Sequence, residues 1–198
     1  ANQNITMLAA IAYSDNIYAM KTHLFLGTEM LSNLSKKLKI KTPIKNIAST
    51  KLKTSKINII DYSNAFITLA NEGKHEEPHL IEKITDNNGN ILYEYKYKNE
   101  YILNNDYVYI LNNLLTSTYD YNMVNYASPT LLSISNELDS KYSVKSGSTT
   151  TDYWTIGYNK DYLMMVWAGN DDNTKVENKD SKITKKIWAK TINNIKKK

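Results

Sequence analysis

The six residues from Lys145 to Thr150 bring together side chains that suit an anionic ligand. They read Lys-Ser-Gly-Ser-Thr-Thr, a cation and four hydroxyls around one position without a side chain. Residues 153–158 and 162–168 have the apolar and aromatic content of two strands joined by a turn, which places the run at the edge of a sheet. Glycine lets another backbone approach closely. The pattern therefore predicts a sheet edge that binds an anionic, peptide-like ligand.

A second polar stretch, Ser14-Asp15-Asn16, follows the apolar residues 5–13. Short polar side chains of this kind commonly cap helices, and this is one interpretation of the triplet. The other is that the triplet forms a wall of the same binding site as Lys145. The second interpretation requires the two stretches to face each other across a common groove.

The composition excludes several kinds of site. The 198 residues include no cysteine, so this chain has no disulfide, thiolate metal site or cysteine nucleophile. The net charge is +5, yet every basic residue is a lysine. Because bidentate contacts to bases and phosphates favour arginine, we expect no nucleic-acid partner. Pro78 interrupts the helical register of a suggestive group of metal ligands, His75, Glu76, Glu77 and His79, and we expect neither a metal nor another cofactor.

The hydrophobic pattern predicts an α+β chain. Helices are predicted over residues 5–13, 17–38, 59–70, 105–119 and 183–195. Strands are predicted over 80–84 and 91–97, as a hairpin with an Asn-Gly turn, and then over 141–148, 153–158 and 162–168. We expect Asn58 to cap the third helix, Gly73 to close it, and Gly27 to mark a close contact or a break. Trp154, Trp167 and Trp188 are expected in the core, and residues 36–56 in a solvated connection.

Taken in order, these features resemble the transpeptidase domain of class A penicillin-binding proteins. Ser14-Asp15-Asn16 and Lys145-Ser146-Gly147 look like two of the three signature motifs of penicillin-binding proteins and class A β-lactamases. The likeness covers residues 13–190 and is weakest over 36–56. Besides the two motifs, the stretches that carry the likeness are residues 13–23, 69–74, 78–81, 156–158 and 166–169.

The resemblance implies an α+β penicillin-binding transpeptidase or serine β-lactamase-like fold, an antiparallel sheet flanked by helices. Residues 1–198 would be the C-terminal portion of that domain, with its N-terminal part missing. The implied reaction is acyl transfer through a serine ester, from the D-alanyl-D-alanine end of a peptidoglycan stem peptide to an amine of a neighbouring strand. The same cleft would bind β-lactam antibiotics.

The resemblance also implies three catalytic residues. Ser14 would relay a proton to the leaving nitrogen. Asn16 would hold the substrate amide and help orient the lysine that accompanies the nucleophile. Lys145 would hold a positive field over Ser14 and over the carboxylate of the substrate.

Four further residues would bind the substrate. The hydroxyls of Ser146 and Ser148 would bind its carboxylate, and Gly147 would let its backbone approach. The backbone N–H of Ser148 would form half of an oxyanion hole. Thr149 completes this substrate-binding set.

The third motif of the family, Ser-x-x-Lys, carries the nucleophile, and no serine of this chain has a lysine three positions later. Thr42 and Thr50 have that spacing to Lys45 and Lys53, but they follow Ser14-Asp15-Asn16 and so have the wrong order. We expect the nucleophile to lie N-terminal to Ala1. It follows that this chain alone should form no covalent adduct with penicillin.

Two functions stay open. The first is part of a serine-type D-Ala-D-Ala transpeptidase or carboxypeptidase, at the extracellular face of the cell membrane. The parent protein would be anchored in the membrane, whereas this fragment would be soluble. Its partners would be the stem peptide, β-lactams and the missing N-terminal part of the same protein. A glycosyltransferase domain and a Gram-positive source are implied by family likeness alone.

The second function is a degenerate, non-catalytic module that binds peptidoglycan or serves as a scaffold. A class A β-lactamase is less favoured, because no deacylating glutamate can be assigned.

Overall fold

The computed structural model describes residues 3–44, 57–98, 100–176 and 182–195. The helices are α1 (Met7–Tyr13), α2 (Asn16–Leu26), α3 (Met30–Lys37), α4 (Ile59–Ala70), α5 (Asn105–Leu115) and α6 (Ile183–Ile195). The strands are β1 (Lys74–His75), β2 (Lys83–Thr85), β3 (Ile91–Glu94), β4 (Glu100–Tyr101), β5 (Ser143–Ser148), β6 (Asp152–Tyr158) and β7 (Leu163–Gly169). Short 3-10 helices cover Thr116–Tyr119, Tyr121–Met123 and Leu132–Glu137. The predicted order of helices, hairpin, helix, three strands and final helix is confirmed.

The largest sheet of the described residues is antiparallel, with strand order β5-β6-β7. Lys145 of β5 is opposite Ile156 of β6, and Gly147 is opposite Trp154. Two smaller antiparallel pairs join β1 to β4 and β2 to β3. Since β5 has a neighbour on one side only in the described sheet, the Lys-Ser-Gly run lies at a sheet edge, as its sequence predicts.

Short polar residues begin four of the helices by accepting hydrogen bonds from backbone N–H groups. These caps are Thr6, Asp15, Asn58 and Asn104. The cap predicted at Asn58 is therefore confirmed. Gly73, just beyond α4, has a left-handed φ of 97°, and a Cβ there would lie 2.5 Å from the backbone oxygen of Leu103. Both observations explain why a glycine closes α4.

The prediction of one helix over residues 17–38 is wrong. The chain forms α2 and α3, which are separated at Gly27, where φ is 94° and no described residue beyond the chain neighbours approaches within 4 Å of an added Cβ. Gly27 therefore marks a break and not a close contact. The helix predicted over 105–119 also tightens into a 3-10 turn at Thr116.

The core lies between the three-stranded sheet and α6. Trp188 of α6 is fully buried, and its Nε1 donates to the backbone oxygen of Met164 on β7 at 3.0 Å. The other buried members of this cluster are Leu131, Ile134, Tyr142, Val144, Ala189 and Ile192. A smaller cluster joins Leu38, Ala65 of α4 and Ile102. The first cluster fixes β5 in place and the second fixes α4.

The first three helices carry an exposed apolar surface, which we call the α1–α3 face. Its members are Met7, Leu8, Ile17, Leu24, Phe25, Leu26, Met30, Leu31 and Leu34. Phe25 is 88% exposed, and α2 buries none of its residues. Exposed apolar surface of this extent is typical of an interface. Within the described ranges, no helix is long and apolar enough to cross a membrane.

Candidate active site

Ser14 and Lys145 meet although 131 positions separate them in sequence. The Lys145 ammonium donates one hydrogen bond to Ser14 Oγ at 2.8 Å and a second to the backbone oxygen of Ser146 at 2.8 Å. A lysine ammonium has three N–H donors, so these two contacts leave a third for a ligand. The two polar stretches of the sequence thus lie side by side at one site.

Ser14 is held in place by the end of α1. It has a left-handed backbone conformation, with φ 56° and ψ 48°. The backbone oxygen of Ala12 accepts from the Thr130 N–H at 3.0 Å, and the Tyr13 hydroxyl donates to the backbone oxygen of Met123. The ring of Tyr13 also packs edge-on against Tyr126, with centroids 5.1 Å apart. These contacts anchor the turn that points the Ser14 hydroxyl at β5.

Within the Ser14-Asp15-Asn16 triplet, the helix-cap interpretation applies to Asp15. Its Oδ1 accepts from the Tyr18 N–H at 2.8 Å and so caps α2. Asn16 is the first residue of α2 and is exposed. The cap therefore fixes the start of α2, with Ser14 and Asn16 on either side of it.

Lys145 holds its proton less tightly than an ordinary lysine does. Burial lowers the pKa of Lys145 to about 8, and the positive charge of Lys185 on α6 adds to the effect. Lys185 is held nearby, since its ammonium donates to the backbone oxygen of Thr130 at 2.8 Å. A lysine pKa that is lowered on folding disfavours the folded state at low pH, and this penalty disappears as pH rises from about 8 to 10.5.

Replacing Lys185 by methionine should raise the pKa of Lys145 from about 8 towards its ordinary value of 10.5. Removing a like charge favours the protonated ammonium. The measurement is an NMR pH titration of lysine labelled with ¹³C at Cε, with the Lys145 resonance assigned by substitution. Lys186→Met, at an exposed position of the same helix, is the control and should leave the pKa unchanged. An unchanged or lower pKa in Lys185→Met contradicts the prediction.

A cleft of about 860 Å³ lies beside β5. Its walls come from α4, from β5 and the turn after it, and from β6 and β7. The lining residues include Ile59, Tyr62 and Phe66 of α4, Lys145, Ser146 and Gly147 of β5, and Trp154, Ile156 and Trp167 of the neighbouring strands. Apolar walls around a few convergent polar groups are typical of sites that bind small molecules or peptides.

The expectation that all three tryptophans lie in the core is wrong for two of them. Trp188 is fully buried, but Trp154 and Trp167 line the cleft, and Trp167 is 42% exposed. The ring of Trp154 meets that of Tyr62 edge-on, with centroids 6.1 Å apart. Trp154 and Trp167 alternate with core-facing residues on their strands. Because successive side chains of a strand point to opposite faces of the sheet, this alternation could have placed both tryptophans on the cleft side from the sequence.

The turn between β5 and β6 is held by Asp152, a residue that no sequence motif singled out. Its carboxylate accepts from the hydroxyl of Thr149 at 2.6 Å, from the hydroxyl of Thr151 at 2.9 Å and from Nε1 of Trp154 at 2.5 Å. Burial opposes ionisation of this carboxyl, but these hydrogen bonds outweigh it, so its pKa is lowered. Asp152 thereby fixes both the cleft turn and the Trp154 ring.

The four residues expected to bind substrate have different surroundings. Ser146, Gly147 and Thr149 line the cleft, whereas Ser148 is exposed at the end of β5, opposite Tyr153. The Thr149 hydroxyl donates its hydrogen to Asp152, so it supports the turn. In the part of the chain that the structure describes, a Cβ added to Gly147 would meet only Trp154 Cβ, at 3.7 Å, which leaves the other side open to a ligand. The roles assigned to these residues stay predictions.

Thr42, one of the two threonines with the nucleophile spacing, lies outside the cleft. The Thr42 hydroxyl donates to the Asp61 carboxylate at 2.6 Å, in a different cavity. Thr50 falls, with Lys45 and Lys53, outside the described residues.

Comparison with known proteins identifies this arrangement. A family model described as the penicillin binding protein transpeptidase domain matches residues 1–193. Penicillin-binding protein 2D of Bacillus subtilis is 38% identical over 190 residues, which are 96% of this chain and 28% of that protein. Penicillin-binding protein 1A of Clostridium tetani is 26% identical over 132 residues, 66% of this chain and 16% of that protein. The chain thus spans about a quarter or less of the length of these relatives.

Solved structures match the fold. Penicillin-binding protein 1A of Haemophilus influenzae superposes with a TM-score of 0.74 at 18% identity, over 87% of this chain and 31% of that one. Penicillin-binding protein A of Mycobacterium tuberculosis, solved as an imipenem acyl-enzyme complex, gives a TM-score of 0.64 at 12% identity, over 93% and 48%. The antiparallel sheet with flanking helices is therefore the fold of these transpeptidases, as the sequence predicts. With the family model matching nearly the whole chain, this protein belongs to the transpeptidase-domain family of the penicillin-binding proteins.

Proposed function

We propose that this chain forms the C-terminal part of a class A peptidoglycan D,D-transpeptidase domain that works by serine acyl transfer. The observation that carries the proposal is the 2.8 Å hydrogen bond from the Lys145 ammonium to Ser14 Oγ at the end of an open cleft. The substrate class is the D-alanyl-D-alanine end of a stem peptide, and β-lactams would bind the same cleft. The parent protein would work at the extracellular face of the cell membrane.

The geometry supports different roles for the Ser14 and Lys145 side chains. Lys145 donates to Ser14 Oγ, so the Ser14 hydroxyl hydrogen is free to be donated to the leaving nitrogen. The third N–H of Lys145 and its positive charge suit the carboxylate of the substrate. Asn16, at the start of α2 beside Ser14, would hold the substrate amide.

The edge of β5 would bind the substrate backbone as an added strand, a common way of binding extended peptides. Among the described residues other than the chain neighbours of Gly147, the atom nearest to an added Cβ is Trp154 Cβ at 3.7 Å, so the ligand can approach there. Ser146 and Thr149 flank it on the cleft wall, and the Ser148 N–H at the strand end would contribute to an oxyanion hole.

The nucleophile would come from a segment of the parent protein outside these 198 residues. No serine of this chain has the Ser-x-x-Lys spacing, and the chain spans 28% of the length of Penicillin-binding protein 2D. The exposed α1–α3 face adjoins Ser14 and is a suitable surface for that segment to cover. A glycosyltransferase domain would belong to the same parent.

The chain alone should form no covalent adduct with a fluorescent penicillin, because the proposed acylation proceeds through a Ser-x-x-Lys serine and no serine of this chain has that spacing. The measurement is labelling followed by denaturing electrophoresis. The positive control is the longer gene product with its Ser-x-x-Lys segment, in which mass spectrometry should map the adduct outside residues 1–198. A labelled band from the isolated chain contradicts the prediction. An unlabelled longer product, or one without Ser-x-x-Lys, favours the non-catalytic peptidoglycan-binding or scaffold module.

A further inference from the structure

The hydrogen bond between Lys145 and Ser14 depends on how α1 is held against β5. The 3-10 helix Thr116–Tyr119 contacts both of these elements. One of its residues, Thr118, is fully buried. The 3-10 helix is therefore placed to set the distance between the Ser14 turn and the strand that carries Lys145.

On the side of α1, two consecutive backbone N–H groups connect the helix end to this 3-10 helix. The Thr130 N–H donates to the backbone oxygen of Ala12, two positions before Ser14, at 3.0 Å. The next N–H, that of Leu131, donates to the backbone oxygen of Thr118 at 2.8 Å. Ala12 and Leu131 are both fully buried, so bulk water does not compete for these bonds.

On the side of β5, the Thr118 side chain reaches the strand directly. Its hydroxyl lies 2.9 Å from the backbone oxygen of Val144, the residue before Lys145, and 2.9 Å from the backbone oxygen of Leu115. A hydroxyl has one hydrogen, so the two carbonyl oxygens share it in a three-centre bond. Since Val144 is also fully buried, this bond ties the 3-10 helix to the strand at the position next to Lys145.

The neighbouring residue, Tyr119, fixes the chain just before β5. Its hydroxyl donates to the backbone oxygen of Tyr142 at 2.8 Å and accepts from the Tyr142 N–H at 3.2 Å. These two bonds do not involve the Thr118 side chain. Removing the Thr118 hydroxyl should therefore leave β5 in the sheet and change chiefly its position relative to α1.

Together these contacts form a closed path through the site. It runs from Ser14 to Lys145, Val144, Thr118, Leu131, Thr130 and Ala12, and back to Ser14. We propose that Thr118 is a positioning residue, which acts on the reaction only through the distance between Ser14 Oγ and the Lys145 ammonium. Its effect on rate rests on the proposed transpeptidase function, but the distance itself can be followed without any reaction.

The first test follows that distance in this chain by NMR, through the nuclear Overhauser effect between the Ser14 Cβ protons and the Lys145 Cε protons. Thr118→Val nearly keeps the size of the side chain but removes its hydroxyl, and we expect the effect to be lost. Thr118→Ala, which cannot overpack the site, is a second variant with the same expected result. Thr118→Ser restores the hydroxyl and should retain the effect. An undiminished effect in both the valine and the alanine variants would overturn the proposal.

Thr155→Val is the matched control. Thr155 is also fully buried and lies in the same sheet, opposite Ser146, but its hydroxyl donates to that of Thr184 at 3.0 Å. Its replacement should keep the nuclear Overhauser effect between Ser14 and Lys145. Loss of the effect in Thr155→Val as well would show that any buried hydroxyl of this core matters, and not the position of Thr118.

The second test measures penicillin acylation of the longer gene product that includes the Ser-x-x-Lys segment. Thr118→Val should lower the second-order rate constant about tenfold, because a displaced catalytic group loses rate even though it is still present. Thr118→Ser and Thr155→Val should change it less than about twofold. In a Lys145→Met background there is no contact left to position, so Thr118→Val should slow acylation less than about twofold further.

The outcomes separate this proposal from the proposed function. If the unsubstituted longer product is not acylated, the transpeptidase function is contradicted, and the NMR test still decides the role of Thr118. If that product is acylated, three results would each overturn the role of Thr118 alone. They are a rate unchanged in Thr118→Val, an equal loss in Thr155→Val, and a loss of the same factor in the Lys145→Met background.

Discussion

Replacing Lys145 by methionine should slow acylation by a fluorescent penicillin by about 100- to 1,000-fold, the cost of losing one donor aimed at developing charge. The protein to be measured is one that joins this chain to the segment with the nucleophile. Methionine keeps the length of the side chain but removes the donor to Ser14 and the charge that we propose faces the substrate carboxylate. The measurement is the second-order rate constant of labelling, obtained from time courses at several penicillin concentrations.

Lys141→Met is the matched control for this prediction. Lys141 is exposed and lies just before β5. In the described hydrogen-bond network, its ammonium bonds only to the Asn113 side chain, at 3.0 Å. Its replacement should change the rate constant less than about twofold, since it lies outside the cleft. A Lys145→Met protein that is acylated at the rate of the Lys141→Met protein would exclude Lys145 from the reaction.

Replacing Gly157 by alanine should lower the free energy of unfolding by about 3 kcal/mol, at the upper end of the usual cost of overpacking. The added Cβ would lie 2.2 Å from Cζ2 of Trp188. Trp188 is fully buried and tied by its Nε1 to Met164, so the ring has no free space to move into. The measurement is urea denaturation followed by tryptophan fluorescence and circular dichroism.

Gly147→Ala provides the same substitution in the same sheet without the overlap. A Cβ at Gly147 would meet Trp154 Cβ at 3.7 Å, an ordinary contact. Its free energy of unfolding should stay within about 0.5 kcal/mol of that of the unsubstituted chain. Equal losses in both variants would show that strand propensity, and not the Trp188 contact, determines the cost.

Local signals in the sequence predicted the elements that carry the site. The Asn58 cap and Gly73 bound α4, and the Asn-Gly turn forms the hairpin, because capping and turn geometry depend on residues close in sequence. The contact between Ser14 and Lys145 was anticipated only through the family resemblance. No local rule links residues 131 positions apart.

The features that sequence reasoning missed arise from tertiary packing. Burial and, secondarily, the charge of Lys185 lower the pKa of Lys145. Lys185 acts there because Thr130 holds both α1 and Lys185 near β5, a convergence that no spacing predicts. Asp152 had a local signal, since a threonine lies three positions before it, but that signal indicates a turn and not a cleft wall. The sequence allowed either a break or a close contact at Gly27, and only coordinates distinguish the two.

We propose that Ser14 and Lys145 act as one unit across the groove, and a double-mutant cycle tests this most directly. The rate constant of penicillin acylation would be measured for Ser14→Ala, Lys145→Met and the double variant, in the protein joined to its nucleophile segment. Since each substitution removes the same hydrogen bond, the double variant should be no more than about threefold slower than the slower single variant. Losses that simply multiply, or a Ser14→Ala protein as fast as the unsubstituted one, would contradict the claim.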